Sequence, residues 1–366
     1  MSPMLSCSGV PDLFFEDTKV GRMFKEVWEA DETKLDAWLA EFGLPSPCEW
    51  AKPGSYIQTT VRGQMEQQRN KNDIVLIPVG TTENHGRHTV SGMDTLFVSI
   101  LCEAVRRKTA ETGAPVSIAL PPLMYGGHPY HHIGMPGTVM LREEVVEETL
   151  VDVMLGLWND GFRKQIIVNN HGHLWMLETA LHKFIKRYQL PGVYKIAEWH
   201  RNVKHFWRTK DQGGPWETNF VHADESETSV GLLLFPEMVE MSRAVDTEMK
   251  VYMPPGHIDN SIEGWDRPMR WSENEGHAAI EFFGTPEGVV GRPTAATAQK
   301  GKRPVVAFVK YLTMVCEDIL ATFPAGAVPP VEEFTFRSAK DMEPFLKEPL
   351  SPGWKPVHAL PYLGQH

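Results

Sequence analysis

The sequence predicts an α/β protein with a mainly parallel central sheet. Two observations carry this prediction. From residue 73 onward, short apolar runs rich in β-branched residues alternate with longer segments of helical spacing. The first of these runs, Ile74 to Val79, is apolar throughout, as a strand covered on both faces must be. Alternation of this kind points to βαβ units and a sheet with helices on both sides.

Taken in order, residues 1–70 are mixed in character. Val20 to Phe42 has helical spacing, with Trp28, Leu35, Trp38, Leu39 and Phe42 as candidate core positions. Phe42 to Gly54 is rich in Pro and Gly and reads as a linker. Residues 1–70 are thus expected to elaborate a main domain spanning 71–325. Within that domain, strands are expected at Ile74–Val79, Val116–Leu120, Gln165–Val168 and Val193–Ala197. Helices are expected at Thr95–Lys108, Glu143–Asn159, Leu174–Tyr188, Glu227–Phe235 and Val305–Leu320. Gly161 and Pro236 supply two of the stops. Residues 240–295 read as irregular, and 326–366 as a Pro-rich tail on the surface.

Composition narrows the function classes. The chain has 366 residues, 42% hydrophobic and 23% charged, with a net charge of −11. These are the proportions of a globular protein. The negative charge argues against nucleic acid, which requires a basic face. No apolar run is long enough to span a membrane. The N-terminus lacks a basic stretch followed by an apolar core, so no signal peptide is expected and the reading is cytoplasmic. Cys7, Cys48, Cys102 and Cys316 form no CxxC pair and read as reduced thiols.

The chemistry gathers after the strands. Glu83 and His85 follow the Ile74–Val79 strand, and Asp94 stands just before the next helix. Carboxylate oxygens with an imidazole nitrogen suit a borderline divalent ion such as Zn, Mn or Fe. Asp94 can equally cap the helix that starts near Thr95. After the second strand, a glycine-rich loop carries Tyr125, His128, His131 and His132. His171 and His173 follow the third strand, Glu198, Trp199 and His200 the fourth, and His222 and Glu227 come next. Ligands in open α/β sheets bind at the carboxyl ends of strands. Glu83, His85, Asp94 and His171 are therefore expected in one pocket, with Glu227 and His222 in reserve. That supply exceeds the needs of one four-coordinate ion and makes a carboxylate-bridged pair plausible.

In ordered blocks the sequence resembles the creatininase family. The family's Pro-x-Gly-x-x-Glu-x-His-Gly-x-His, followed by Asp, is matched by Pro78, Gly80, Glu83, His85, Gly86, His88 and Asp94. Its His-x-Gly-Phe-Pro-Gly-Thr is matched by His132 to Thr138, with Met135 in place of Phe. Its Asn-Gly-His-Gly-Gly-Asn is matched by Asn169 to Leu174, with Asn170, His173 and Leu174 where the family has Gly, Gly and Asn. Its His-Ala-Gly-x-x-Glu-Thr-Ser is matched by His222 to Ser229.

The resemblance implies a creatininase-like three-layer α/β/α sandwich and a hydrolase with two divalent ions per subunit. One ion would take Glu83, Asp94 and His171, and the other His85 and Asp94, with Asp94 bridging. Glu227 is the favoured remaining ligand and His173 the second candidate. His222 is the expected acid/base, and His132 positions substrate or an oxyanion. Creatininase clamps its flat substrate between tryptophans. Trp199 matches one of these, but Thr218 stands at the other, with Trp216 and Phe220 nearby, so creatinine itself is not the expected substrate. The family also includes 3-dehydro-scyllo-inosose hydrolases. The polar loop around Tyr125, His128 and His131 suits a hydroxylated ring. The expectation is ring opening of a small polar cyclic compound, a C–C bond of a cyclic diketone polyol, in a homo-oligomer. A cyclic amide hydrolase and a non-catalytic metal-binding relative are the alternatives.

Overall fold

The computed structural model describes residues 3–45, 56–119, 122–127, 134–248 and 287–360. The chain opens with a hairpin, β1 (Met4–Cys7) and β2 (Val10–Glu16), turned at Gly9 with φ 81°. Two helices follow, α1 (Lys19–Glu29) and α2 (Glu32–Glu41). The single helical stretch expected over 20–42 is divided because Ala30 is extended and the Asp31 side chain caps α2 by accepting from Lys34 N–H. Of the expected linker, the part from residue 46 lies outside the described residues. Helix α3 (Arg62–Arg69) leads into the sheet.

The four-stranded sheet is parallel, in the order β4-β3-β5-β6. Its strands are β3 (Ile74–Val79), β4 (Ser117–Ile118), β5 (Lys164–Asn169) and β6 (Val193–Glu198). Every residue of β3 and β5 is buried, which explains the unbroken apolar character of β3, while in β5 the buried Lys164, Gln165 and Asn169 side chains are hydrogen-bonded. Strand β4 is shorter than the run that predicted it. Helices α4 (Met93–Ala110), α5 (Glu143–Asn159) and α6 (Leu174–Tyr188) connect the strands. A four-residue turn, α7 (Trp199–Asn202), follows β6. Helix α8 (Glu225–Leu234) and the long helix Ala298–Thr322 complete the main framework.

The pleat sorts the core into two layers. Ile74, Leu76, Ile166 and Val168 face a cluster that contains α4, the long helix and the N-terminal residues Leu13, Phe15, Phe24 and Leu35. Val75, Ile77, Val79 and Ile167 face a second cluster built on α5 and α6, which also takes in Val331, Met342, Phe345 and Val357 of the tail. Each large apolar side chain so buried stabilises the fold by about 1.5–3 kcal/mol. The tail is fixed at the amino end of the sheet. There the buried Lys164 ammonium meets Asp73 at 2.5 Å and the Pro324 carbonyl at 3.2 Å, and Arg163 donates to the Phe345 carbonyl at 3.1 Å. Among the described residues, no helix is long and apolar enough to cross a membrane. Cys7, Cys102 and Cys316 are buried, and Cys48 lies outside the described residues. The site is set by the strand order: from β3 the chain crosses to β4 on one side and then to β5 on the other. The crevice between the carboxyl ends of β3 and β5 is therefore the switch point of the sheet.

Candidate metal centre

That crevice receives the loop after β3, the first turn of α4 and the loop after β5. Gly80 makes the approach possible. A Cβ there would stand 2.6 Å from the Thr95 backbone nitrogen, so only glycine lets the start of α4 lie against the end of β3. Asp94 is thereby brought to Glu83. The cap reading for Asp94 is corrected, because α4 starts at Met93 with Gly92 at the N-cap and Asp94 already lies in the first turn. Its carboxylate still benefits from the positive helix end, but it faces imidazoles. The Glu83 loop is braced by Thr138 Oγ1, which accepts from Asn84 N–H at 2.9 Å, and by Pro136, whose carbonyl accepts from the Asn84 amide at 2.6 Å.

Asp94 points its two oxygens in different directions. Oδ2 stands 2.9 Å from His171 Nδ1, and Oδ1 stands 3.6 Å from His85 Nε2. His171 Nδ1 is also 3.2 Å from Glu83 Oε2, and His85 Nε2 is 3.5 Å from Glu227 Oε2. Three overlapping sets can hold an ion: Glu83, Asp94 and His171; His85, Asp94 and Glu227; and Glu83, His85 and His222. The spacings fit a cation. Two ligands about 2.0–2.1 Å from a tetrahedral ion stand roughly 3.3 Å apart. The two His85 contacts are too long for hydrogen bonds, yet Nε2 is buried without one.

Backbone carbonyls orient two of the rings. His85 Nδ1 lies 3.0 Å from the Glu83 carbonyl, and His222 Nε2 lies 2.7 Å from the Asn84 carbonyl. A carbonyl only accepts, so these nitrogens carry the hydrogens. His85 therefore turns Nε2 toward the carboxylates, a lone-pair donor once an ion replaces the proton held there, and His222 Nδ1 is aimed at Glu83 Oε2, 3.8 Å away. The His85 and His222 rings lie 4.3 Å apart.

Glu227 is positioned by the start of α8. Asp224 caps that helix, accepting from Ser226 N–H at 2.8 Å and Glu227 N–H at 3.1 Å. Glu227 Oε2 in turn accepts from Ala223 N–H at 2.6 Å. The Asp-x-x-Glu spacing of 224 and 227 is a capping signal present in the sequence, and it explains why α8 begins at Glu225.

The electrostatics call for positive charge. Burial pushes Glu83 and Glu227 well above the usual carboxylate range, while His85 pulls both down. Burial alone would depress His85, but the carboxylates of Glu227, Asp94 and Glu83 overcome it and raise it to about 10. Three buried carboxylates thus share too few cations among side chains, and a divalent ion is the natural complement.

Other expected site residues are placed differently. His173 is not a member of any of the three sets. Its Nδ1 donates to the Gly127 carbonyl at 2.9 Å and its Nε2 lies 2.9 Å from Asn169 Oδ1, so both ring nitrogens face protein oxygens. Burial holds this ring down at about 4, hence neutral, against the pull of the Gly127 carbonyl. The glycine loop approaches this ring rather than a ligand: a Cβ on Gly126 would meet His173 at 2.7 Å. Trp199 is also corrected. It is wholly buried in the core, with Trp207, Phe97 and Phe308 around it, and has no free face for substrate. Trp216 and Phe220 pack against Trp207 in the same cluster. Tyr125 is 48% exposed at the mouth of the glycine loop. His128, His131 and His132 lie outside the described residues. Asn170, which received no role from the sequence, is in the centre and donates to Asp94 Oδ1 at 3.2 Å. Its signal was the departure from glycine at that position of the block.

Fold and site together define a three-layer α/β protein with a buried carboxylate–imidazole centre suited to divalent cations. Residues 59–316 match the sequence model of the creatininase family, described as creatinine amidohydrolase. The chain is 44% identical over 305 residues to a 3-dehydro-scyllo-inosose hydrolase of Thermotoga maritima, covering 83% of this chain and 96% of that protein. The crystal structure of a putative creatinine amidohydrolase from Bacteroides fragilis aligns with TM-score 0.54 and 24% identity, over 73% of this chain and 97% of that one. A mutant creatininase of Zn-Zn type aligns with TM-score 0.53 and 20% identity, over 74% of this chain and 98% of that one. The chain belongs to the creatininase family.

Proposed function

We propose that this protein is a metal-dependent hydrolase that opens a small cyclic diketone polyol at a C–C bond. The observation that carries the proposal is Asp94, whose two oxygens serve two different imidazole–carboxylate sets. Glu83, Asp94 and His171 would hold one divalent ion, and His85, Asp94 and Glu227 the other, with Asp94 as bridge. Zn, Mn and Fe all suit this mixture of oxygen and nitrogen donors. Ions bound there supply an acidified water and polarisation of a substrate carbonyl. The similarity to the Thermotoga inosose hydrolase supports the substrate class.

The chain's own residues supply the rest of the reaction. The Asn84 carbonyl fixes the hydrogen of His222 on Nε2, which leaves Nδ1 as the base directed into the centre. His222 keeps 11% of its side-chain surface exposed, against 0–5% for Glu83, His85, Asp94, His171 and Glu227, so it is the member of the cluster nearest solvent. It takes a proton from the nucleophile and returns it to the departing carbon or nitrogen. His132, with His128, His131 and Tyr125, would contact the hydroxylated ring. Cytoplasmic location and homo-oligomeric assembly belong to the same reading and rest on composition and on the family resemblance.

The test combines two measurements. Asp94→Ala and His171→Ala are each expected to lose bound metal by atomic emission and activity by at least about 100-fold. Wild-type protein is expected to open a cyclic diketone polyol, with one new carboxylate per turnover, and to leave lactams and creatinine unopened. Opening of a lactam or of creatinine with no turnover of the polyol would establish the cyclic amide hydrolase instead. Full metal content in both variants would refute the ligand assignment.

A further inference from the structure

Asn170 sits at the end of β5, 1% exposed, where the family block has glycine. Its side-chain amide makes one bond, from Nδ2 to Asp94 Oδ1 at 3.2 Å. The other half of the amide, Oδ1, is buried and meets no hydrogen-bond donor among the described residues. The orientation follows from chemistry. Turning the amide over would set its oxygen against the Asp94 carboxylate, two acceptors 3.2 Å apart, so Asp94 itself keeps Nδ2 inward and Oδ1 free. The backbone allows little adjustment, because Asn170 N–H donates to the Val79 carbonyl at 3.3 Å and the next residue is His171.

A glycine here would leave Asp94 without this donor and the crevice without this acceptor. An asparagine puts a fixed, uncharged acceptor a few ångströms from the carboxylate at the middle of the centre. A buried acceptor without a side-chain or backbone donor calls for a partner of another kind, an ordered water or a group that is bound there. Beside the carboxylates of this centre, a ring hydroxyl can take the place of such a water. A ring hydroxyl is a neutral donor of the right size. A creatinine-like ring also carries N–H donors, but it carries no hydroxyl.

We propose that Asn170 is a specificity-determining residue, which is anchored to Asp94 through Nδ2 and accepts a hydrogen bond from a hydroxyl of the bound ring through Oδ1. This rests on the polyol reading given above and extends it to a particular contact. A site that hydrogen-bonds a hydroxyl discriminates strongly against the analogue that lacks it, since its own polar group is then left unpaired.

The experiment reads binding and needs no turnover. Cobalt(II)-loaded protein is titrated with inositol and with cyclohexanol, following the visible absorption of the ion, for wild type, Asn170→Gly and Asn170→Ala. Two variants are used so that added backbone freedom at glycine is not mistaken for loss of the amide. The wild type is expected to prefer inositol by at least about 10-fold in Kd, and both variants to lose about 10-fold of that preference. A preference retained in both variants within about twofold overturns the role of Asn170 and leaves the polyol reading standing. A wild type that does not prefer inositol overturns the polyol reading, and the hydroxyl contact with it.

Discussion

His173 offers the sharpest test of how this centre is built, because sequence and structure assign it different work. The sequence allows it as a metal ligand. The structure makes it a strut between the floor of the site and the glycine loop. The ring is fully buried, faces the Gly127 carbonyl and Asn169 Oδ1 at 2.9 Å each, and fills the space that Gly126 leaves open. Asn169 in turn brackets His171, donating to its carbonyl at 2.6 Å and accepting from its N–H at 3.2 Å. The chain of contacts therefore runs from a proposed ligand through Asn169 and His173 to the loop that carries Tyr125.

His173→Ala removes the ring from a closed site. The Gly127 carbonyl loses its donor while still buried, which costs about 1–3 kcal/mol. The vacated ring volume adds a cavity cost of about 1–2 kcal/mol. The expected loss of stability is about 2–5 kcal/mol by urea unfolding. Metal stoichiometry at saturating ion is expected to be unchanged, since none of the three candidate sets contains His173. The Michaelis constant should rise more than kcat falls, because the loop is displaced and the ions are not. His173→Glu is expected to be at least as unstable, because a carboxylate would face the Gly127 carbonyl. A His173→Ala protein of wild-type stability that has lost an ion would refute the strut and restore the ligand.

Two further outcomes follow from the buried charges. Chelation of divalent ions is expected to lower Tm, and re-addition to restore it. At ion concentrations near 100 times Kd the linkage is worth about 2.7 kcal/mol, and a Tm indifferent to chelator would contradict the centre. His205, stacked 4.8 Å from Phe15, is held down at about 4 by burial, with Lys204 and Arg208 adding to the effect. Its folded pKa lies below the unfolded value of about 6.5, so the unfolded chain takes up the proton first. The stability this neutral ring contributes is complete above pH 6.5 and is lost as the pH falls toward 4. The corresponding slope is about 1.4 kcal/mol per pH unit. In His205→Phe, urea unfolding between pH 6 and 4.5 should have a shallower slope by about one proton, and an unchanged slope would exclude the assignment.

Much of the framework was legible because burial on both faces writes itself into composition. Strand β3 and helices α5 and α6 were found to the residue, and the sheet edge that collects ligands followed from their order. What was not legible depended on contacts distant in sequence. Helix α3 buries only Met65 and Arg69, so it has no apolar stripe to detect. The hairpin Met4–Glu16 has inward Leu13 and Phe15 beside outward Phe14, but this short alternation was lost in a region read as mixed. Trp199 illustrates the limit at the site itself. A tryptophan just after a strand looks the same in sequence whether its ring holds a substrate or fills the core, and only the surrounding Phe97, Trp207 and Phe308 decide.

The proposed ligands were recognisable for a different reason: ion chemistry restricts the residue types and the switch point restricts where they occur. Sequence does not encode what fixes their protonation. The hydrogens on His85 and His222 are assigned by the carbonyls of Glu83 and Asn84, groups that every residue carries and that no motif marks. The same holds for substrate choice. Glu83, His85, Asp94 and His171 are common to the family blocks and so cannot distinguish one family member from another. The discriminating positions are those that depart from the blocks while touching the shared ligands. Asn170 bonds to Asp94, and His173 is tied through Asn169 to His171. A change of substrate within this architecture is therefore expected to travel with such neighbours, leaving the ligand set itself intact.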